Sequence, residues 1–164
     1  MADNGSTDAT PEIGKNLAEN DRRIGYVRLE LKGRGRALSY AWRVSQADIV
    51  AYMDVDLSTG LTALPDLVDA IRTNECDIAI GSRLKHGAQV TGRSMGREIL
   101  SRAYSVLFRL MFFTGFVDAQ CGFKALSRRV VNEVVPLVHD TGWFFDSELL
   151  ILAEKNGYLI KEIP

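Results

Sequence analysis

The sequence predicts an α/β protein, a mostly parallel sheet flanked by helices, and three observations point that way. Short apolar runs at 48–53 and 77–81 alternate with amphipathic segments of helical period. Charged residues gather where those runs end, at the edge where open α/β sheets collect ligands. At 164 residues, with 46% apolar and 25% charged side chains, the chain is long enough for one domain with a real core.

Taken in order, Asp3-Asn4-Gly5-Ser6-Thr7-Asp8 is turn chemistry, followed by a helix over 11–20. A short strand is expected at 24–29. Residues 36–46 fit a helix, with Ala37, Leu38, Ala41, Val44 and Ser45 as its small-to-apolar stripe. The run 48–53 is a strand that feeds Asp54 and Asp56. Pro65 suits the first turn of a helix reaching 73, and 77–81 is the next strand. The longest helix spans 96–113, its apolar residues recurring at three and four. Ser127 caps a helix to 135, another runs over 145–156 and stops at Gly157, and 158–163 closes the chain as a strand. The turn at Asp3 has almost no chain before it, where a doubly wound fold would have a leading strand.

Composition narrows the function. A formal net charge of −1 gives no electrostatic case for nucleic acid as a partner. Cys76 and Cys121 lack metal-ligand spacing and read as reduced thiols of a cytosolic protein. The polar N-terminus has no signal-peptide pattern. No run reaches the roughly 18 apolar residues of a membrane span; the nearest, 103–116, is interrupted by Arg109.

Five clusters carry chemistry. Asp54 and Asp56, one residue apart at a strand end, suit a hard divalent cation that shares its oxygen ligands with phosphates, or they cap a turn. The polar run at 3–8 offers hydrogen bonds to a nucleobase or sugar, or simply caps a helix. Lys32-Gly33-Arg34-Gly35-Arg36 is a basic, glycine-bearing helix entry where backbone can approach a phosphate, without the spacing of a Walker loop. Gly81-Ser82-Arg83, with Arg93 and Arg97 downstream, suits bidentate phosphate recognition. Asp118 to Lys124 and Trp143 to Glu148 bed carboxylates among aromatics, in acid–base or orienting roles, or as a capped and buried helix start.

In this order the clusters resemble a family 2 glycosyltransferase of GT-A fold, in the polyprenol- or dolichyl-phosphate sugar synthase branch. The matching stretches are Asp-Asn-Gly-Ser-Thr-Asp-Ala-Thr (3–10), Lys-Gly-Arg-Gly-Arg-Ala (32–37), Met-Asp-Val-Asp-Leu-Ser (53–58), Asp-Ile-Ala-Ile-Gly-Ser-Arg (77–83), Asp-Ala-Gln-Cys-Gly-Phe-Lys (118–124) and Trp-Phe-Phe-Asp-Ser-Glu-Leu-Leu (143–150). Residues 157–164 match the strand that usually closes the catalytic domain. Asp-x-Gln-Cys-Gly-Phe-Lys points to the dolichyl-phosphate glucosyltransferase side, with the mannosyltransferases close by. The resemblance covers residues 1–164 as a single partial catalytic domain, a GT-A sheet lacking the first strand and cut at both ends.

The resemblance implies a metal-dependent, inverting transfer of a hexose from a nucleotide-diphosphate sugar to a polyprenyl or dolichyl phosphate. It places Asp3, Lys32, Asp54, Arg83 and Arg97 around the donor, and Asp54 and Asp56 on Mg²⁺ or Mn²⁺. Asp118, Gln120 and Asp146 line the acceptor side as the catalytic set. Ser58 stands where some relatives carry a further metal-binding glutamine. The implied protein is cytoplasmic, able to work at the cytoplasmic face of a membrane, where helix 96–113 with Phe108, Phe112 and Phe113 either meets lipid or packs in the core.

Two other readings compete. The chain is an inactive remnant, or one piece awaiting a missing segment or partner subunit. Alternatively, Asp54-Val55-Asp56-Leu57-Ser58 matches the Asp-x-Asp-x-Thr/Ser of haloacid-dehalogenase-type phosphatases, although it follows two earlier α/β units and no later Asp-Asp pair appears.

Overall fold

The computed structural model describes residues 1–54, 60–88 and 95–164, with the backbone alone at positions 95, 97 and 98. Its centre is a four-stranded sheet in the order β3-β5-β4-β6, formed by β3 (Ile49–Met53), β4 (Ile78–Gly81), β5 (Phe123–Ser127) and β6 (Ile160–Ile163). β4 and β6 pair in parallel, with Ile78 opposite Ile160. β5 is antiparallel to both neighbours, Val50 facing Leu126 and Ile78 facing the same residue from the other side. Three strands thus share a direction and one is reversed. The reversal positions the site, because β5 begins at the edge where β3 and β4 end.

Strand alternation sorts the core into two layers. Ile78, Ile80, Leu126 and Val50 face α2 (Arg34–Val44), α5 (Arg128–Glu133) and α6 (Phe145–Lys155), meeting Trp42, Val130, Leu149 and Leu150. Ala79, Ala125 and Phe123 face α3 (Leu64–Arg72), meeting Leu67, Ala70 and Ile71. α3 begins with Leu64-Pro65, as the proline requires, and buries one stripe only. Ser127 caps α5 by accepting from the Val130 N–H at 3.4 Å, and the Arg128 guanidinium donates to the Trp42 carbonyl in the last turn of α2 and to the Ala47 carbonyl beyond it. Gly157 ends α6 with φ of 81°.

Of the remaining elements, the first helix and the short strand after it fall in the expected order, while the two-residue strand ahead of them was not expected. A parallel ribbon joins β1 (Ala2–Asp3) to β2 (Val27–Arg28), bridged by the Val27 and Leu29 N–H groups donating to Met1 and Asp3. The strand expected at 24–29 is trimmed because its two-residue neighbour offers few ladder partners. α1 (Thr10–Asn20) packs Gly14 against the Tyr26 ring. Between β1 and β3, which are not paired with each other, lies a groove of about 700 Å³ over the Ala37, Leu38 and Trp42 face of α2. The order of the described strands therefore breaks there.

β5 was not expected as a strand. The sequence places no strand between 113 and Ser127, while the helix it predicts after Ser127 is present. The misleading residue is Lys124, a charged side chain at the second position of β5 and fully buried. α4 (Met95–Phe112) matches the helix expected at 96–113, and Phe108 packs against Phe112 at 4.8 Å and Phe116 at 6.0 Å. Phe108 is core, whereas Phe113 is 83% exposed.

α2 and α6 cross where Gly35 meets Phe145. A Cβ on Gly35 would sit 2.5 Å from the Phe145 Cβ, so the glycine is needed for close approach. Gly35→Ala is expected to destabilise the fold. Overpacking costs about 1–3 kcal/mol, against at most about 1 kcal/mol gained in helix propensity. Urea unfolding checks this: the midpoint falls while the slope is unchanged.

Candidate functional site

β3 delivers Asp54 to the carboxyl edge of the sheet, where its side chain is 45% exposed. Two residues earlier Tyr52 points to the α6 side, and β5 brings Lys124 to the same place from the opposite direction. α6 begins with Phe145 and buries Asp146 in its first turn, where the helix dipole favours a carboxylate. α2 begins with Arg34, just after Gly33, whose φ of 156° and close approach to the Thr141 carbonyl leave no room for a side chain.

These side chains form one network around Asp146, which is 1% exposed. Lys124 Nζ donates to Asp146 Oδ1 at 2.9 Å and Tyr52 Oη donates to the same oxygen at 2.5 Å. Arg34 Nη1 donates to Asp146 Oδ2, while its Nη2 donates to Asp54 Oδ1 at 3.0 Å and Tyr52 Oη at 3.1 Å. The guanidinium lies over Tyr52 and Trp143, at 5.2 and 5.3 Å from the ring centroids. Burial pushes the Tyr52 hydroxyl far above its usual range, and the Asp146 charge adds to this, so it stays a protonated donor. Burial alone would lower the Arg34 pKa, but Tyr52, Asp146 and Asp54 together raise it. It is a fixed cation.

A second ion pair lies beside the first. Arg83, just after β4, donates to Asp118 through its backbone N–H, Nε and Nη2 at 3.0–3.1 Å. Hydrogen bonding to Asp118 raises the Arg83 pKa, and the Asp54 charge contributes too. The Val117 and Asp118 N–H groups donate to the Glu162 carboxylate of β6 at 3.0 Å each. Exposed Gln120 joins Arg83 and Asp118 in a pocket of about 330 Å³ under α4. The loop 118–122 links the two pairs. The Cys121 carbonyl accepts from Lys124, and a Cβ on Gly122 would lie 1.8 Å from Asp54 Oδ2. Burial pushes the Cys121 thiol up, which makes it inert rather than nucleophilic.

The structure thus brings Asp54, Asp146, Asp118, Gln120 and Arg83 into one region. Asp3 and Lys32 lie on the β1–β2 side, tied to it through Asn4, whose Oδ1 accepts from the Gly33 N–H at 2.6 Å. The Asp3 carboxylate accepts from the Ser6 N–H at 2.9 Å within the turn and from the Tyr26 hydroxyl at 2.8 Å. Lys32 is exposed. Asp56, Ser58, Arg93 and the Arg97 side chain lie outside the described residues. Sequence reasoning gave no individual role to Arg34, Tyr52 or Lys124. Arg34 and Lys124 stood inside quoted motifs, and the two-residue step from Tyr52 to Asp54 was a usable sign of a shared face.

The Asp54 carboxylate is a hard oxygen ligand, and although Arg34 donates to its Oδ1 the side chain remains 45% exposed at the sheet edge. The described residues contain no cluster of three or more ligating side chains. Asp54 therefore fits a cation that takes its remaining ligands from substrate phosphates and from residues outside that set.

The profile of glycosyl transferase family 2 matches residues 1–135. The chain belongs to that family. Among its relatives, glycosyltransferase AglD of Haloferax volcanii is 39% identical over 165 residues, covering 100% of this chain and 26% of its own length. The dolichyl-phosphate beta-glucosyltransferase of Dictyostelium discoideum is 30% identical over 171 residues, covering 99% and 52%. That of Saccharomyces cerevisiae is 28% identical, covering 100% and 54%. The chain spans about half or less of the relatives it matches. Among solved structures, the glucosyl-3-phosphoglycerate synthase of Mycobacterium tuberculosis with phosphoglyceric acid superposes with a TM-score of 0.70 at 22% identity, covering 98% of this chain and 56% of that one. The same enzyme with Mn²⁺ and UDP-glucose gives 0.67. At that identity the likeness is one of fold, the GT-A arrangement.

Two outcomes follow from this family 2 site. Asp146→Ala leaves the Lys124 ammonium buried without its carboxylate and is expected to cost about 3–5 kcal/mol. Lys124→Met costs less, because Asp146 keeps Arg34; denaturant unfolding of both variants checks the order. At Asp3, hydrogen bonding from Ser6 leads in holding the carboxyl below its ordinary 3.8, so its stabilisation is full above that value and lost as pH falls through the lower folded value. The stability gap between the parent and Asp3→Ala is expected to be present at neutral pH and to shrink below 3.8, measured by urea midpoints across that range.

Proposed function

We propose that this chain is the catalytic part of a glycosyltransferase that moves a hexose from a nucleoside-diphosphate sugar to a polyprenyl phosphate of the dolichyl type. The observation that carries the reading is the placement of Asp54 between two arginines, with Arg34 bonded to it and Arg83 across the 118–122 loop. An exposed carboxylate and two fixed guanidiniums are what a diphosphate donor and a phosphate acceptor require. The relatives named dolichyl-phosphate beta-glucosyltransferases support the acceptor, and the UDP-glucose complex of the mycobacterial enzyme supports the donor class.

Asp54 and Asp56 are the proposed metal ligands, for Mg²⁺ or Mn²⁺. The bound cation would supply Lewis-acid stabilisation of charge on the departing diphosphate. Arg34, aimed at the same edge, balances the diphosphate charge. An acceptor phosphate oxygen attacks the anomeric carbon opposite the leaving diphosphate, one C–O bond forming as the other breaks, and the configuration inverts. A phosphate monoester is largely ionised at neutral pH, its second pKa being about 6, so a strong general base is unnecessary. Asp118 and Asp146, both engaged by cations, act here as positioning groups, and Gln120 offers a hydrogen bond on the acceptor side. Asp3, Lys32 and Arg97 complete the donor surroundings. A lipid acceptor places the reaction at the cytoplasmic face of a membrane, while among the described residues no helix is long and apolar enough to cross one.

Calorimetry with UDP-glucose, with and without Mn²⁺, tests the donor half. Metal-dependent binding is expected, weakened at least about tenfold, or about 1.4 kcal/mol, by Asp54→Ala. Gly122→Ala is expected to do the same, because its Cβ would occupy the space of the Asp54 carboxylate. The open groove between β1 and β3 favours a second reading, a piece that needs a missing segment or partner subunit. Absence of donor binding by the chain alone would favour it over the first.

A further inference from the structure

Trp143 stands two residues before the buried start of α6, yet it is 79% exposed. A single exposed aromatic is ordinary on a protein surface, but two features set this one apart. The first is its place. The Arg34 guanidinium lies over one face of the indole, 5.3 Å from the ring centroid, and the same guanidinium donates to Asp54 Oδ1 at 3.0 Å. The ring is thus one side chain away from the exposed carboxylate. The second is how firmly its loop is held. The Glu148 carboxylate, in the first turn of α6, accepts from the His139 and Asp140 N–H groups at 3.2 and 2.7 Å. Asp140 Oδ1 accepts from the Gly142 N–H at 2.7 Å, and the Thr141 carbonyl accepts from the Arg36 N–H of α2 at 3.2 Å. A bare aromatic is therefore presented on a pinned loop, with the cation–π contact setting its tilt.

We propose that Trp143 is the platform against which the hexose of the donor stacks, a binding residue that reads the sugar and not the nucleotide. The inference rests on the nucleoside-diphosphate sugar reading above and deepens it. A pyranose ring presents C–H groups on its face, slightly positive against the negative face of an indole, and keeps its hydroxyls at the rim, where an exposed platform leaves them in water. Connectivity selects the hexose over the nucleobase. The hexose is bonded directly to the diphosphate that Asp54 and its cation are proposed to hold, whereas the base stands beyond a second phosphate and a ribose. A ring one side chain from Asp54 is within reach of the nearer group. The pocket under α4 is built on the other ion pair, Arg83 and Asp118, which leaves Trp143 on the donor side.

The test is calorimetry of UDP-glucose and of UDP, each with Mn²⁺, on the parent, Trp143→Ala and Trp143→Phe. Trp143→Ala is expected to weaken UDP-glucose about fivefold, the scale of one aromatic contact, and to leave UDP unchanged. Trp143→Phe is expected to keep most of the UDP-glucose affinity. In both variants Arg34 retains Asp146, Tyr52 and Asp54, so their melting temperatures are expected to match the parent's. Acrylamide quenching of the parent gives a second readout. Trp42, the other of the two tryptophans, is 3% exposed, so the quenchable emission belongs to Trp143. UDP-glucose is expected to protect that emission, and UDP to leave it quenchable. Equal loss of both ligands in Trp143→Ala, the mark of a nucleobase platform, would overturn the proposal, as would unchanged affinity for both, and either result leaves the donor reading standing. If the parent binds neither ligand, the donor reading falls and this inference falls with it.

Discussion

The carboxylate of Asp146 is the constraint on which the rest of the site depends. An ionised group so deeply buried is tolerable only when its lone pairs are taken. Its partners come from three different elements, α2, β3 and β5, with the host helix as a fourth. No one of these elements can shift along the sheet edge without stranding a charge. Lys124, fully buried, and Tyr52, kept protonated by its surroundings, are held by the same requirement. This edge of the sheet is rigid for an electrostatic reason before any ligand arrives.

That rigidity leaves Asp54 with a distinct character among the carboxylates. Asp146 is enclosed, Asp118 is gripped by three donors from Arg83, and Asp3 is held by Ser6 and Tyr26. Asp54 has one arginine contact and an exposed remainder. Sequence proximity to apolar and aromatic residues suggested acid–base candidates, yet the structure surrounds those carboxylates with cations. An acceptor that carries its own negative charge suits such a site, whereas a neutral hydroxyl acceptor would want a free base.

Much of the fold was legible because its helices and buried strands obey simple periods. The stripe of α3, the all-apolar run of β4 and the glycine stop after α6 each follow from local chemistry. β5 was not legible, because Lys124 interrupts its apolar pattern and only the distant Asp146 explains a lysine there. Arg34 was hidden for a similar reason. A basic, glycine-rich turn is ambiguous until β3 and α6 bring two carboxylates within its reach. Motif order located the region of chemistry, while the assignment of partners needed contacts between residues as far apart as 34 and 146. The strand expected at 24–29 is shorter in the structure, and its partner at Ala2–Asp3 was missed, because a strand's extent depends on its neighbour as much as on its own residues.

The reversal of β5 has a mechanical corollary. Chain that leaves the sheet after Gly81 returns to it at Phe123, beside the strand it left, so α4 is carried on what amounts to the loop of one enormous β-hairpin. The stem of that hairpin is fastened by Arg83 on the outgoing limb and Asp118 on the returning one, with Glu162 bracing the second from β6. A pull on α4 is therefore delivered to this clasp and not to the sheet behind it. The two arms of the clasp are also walls of the pocket under α4, so the helix and that pocket are mechanically joined.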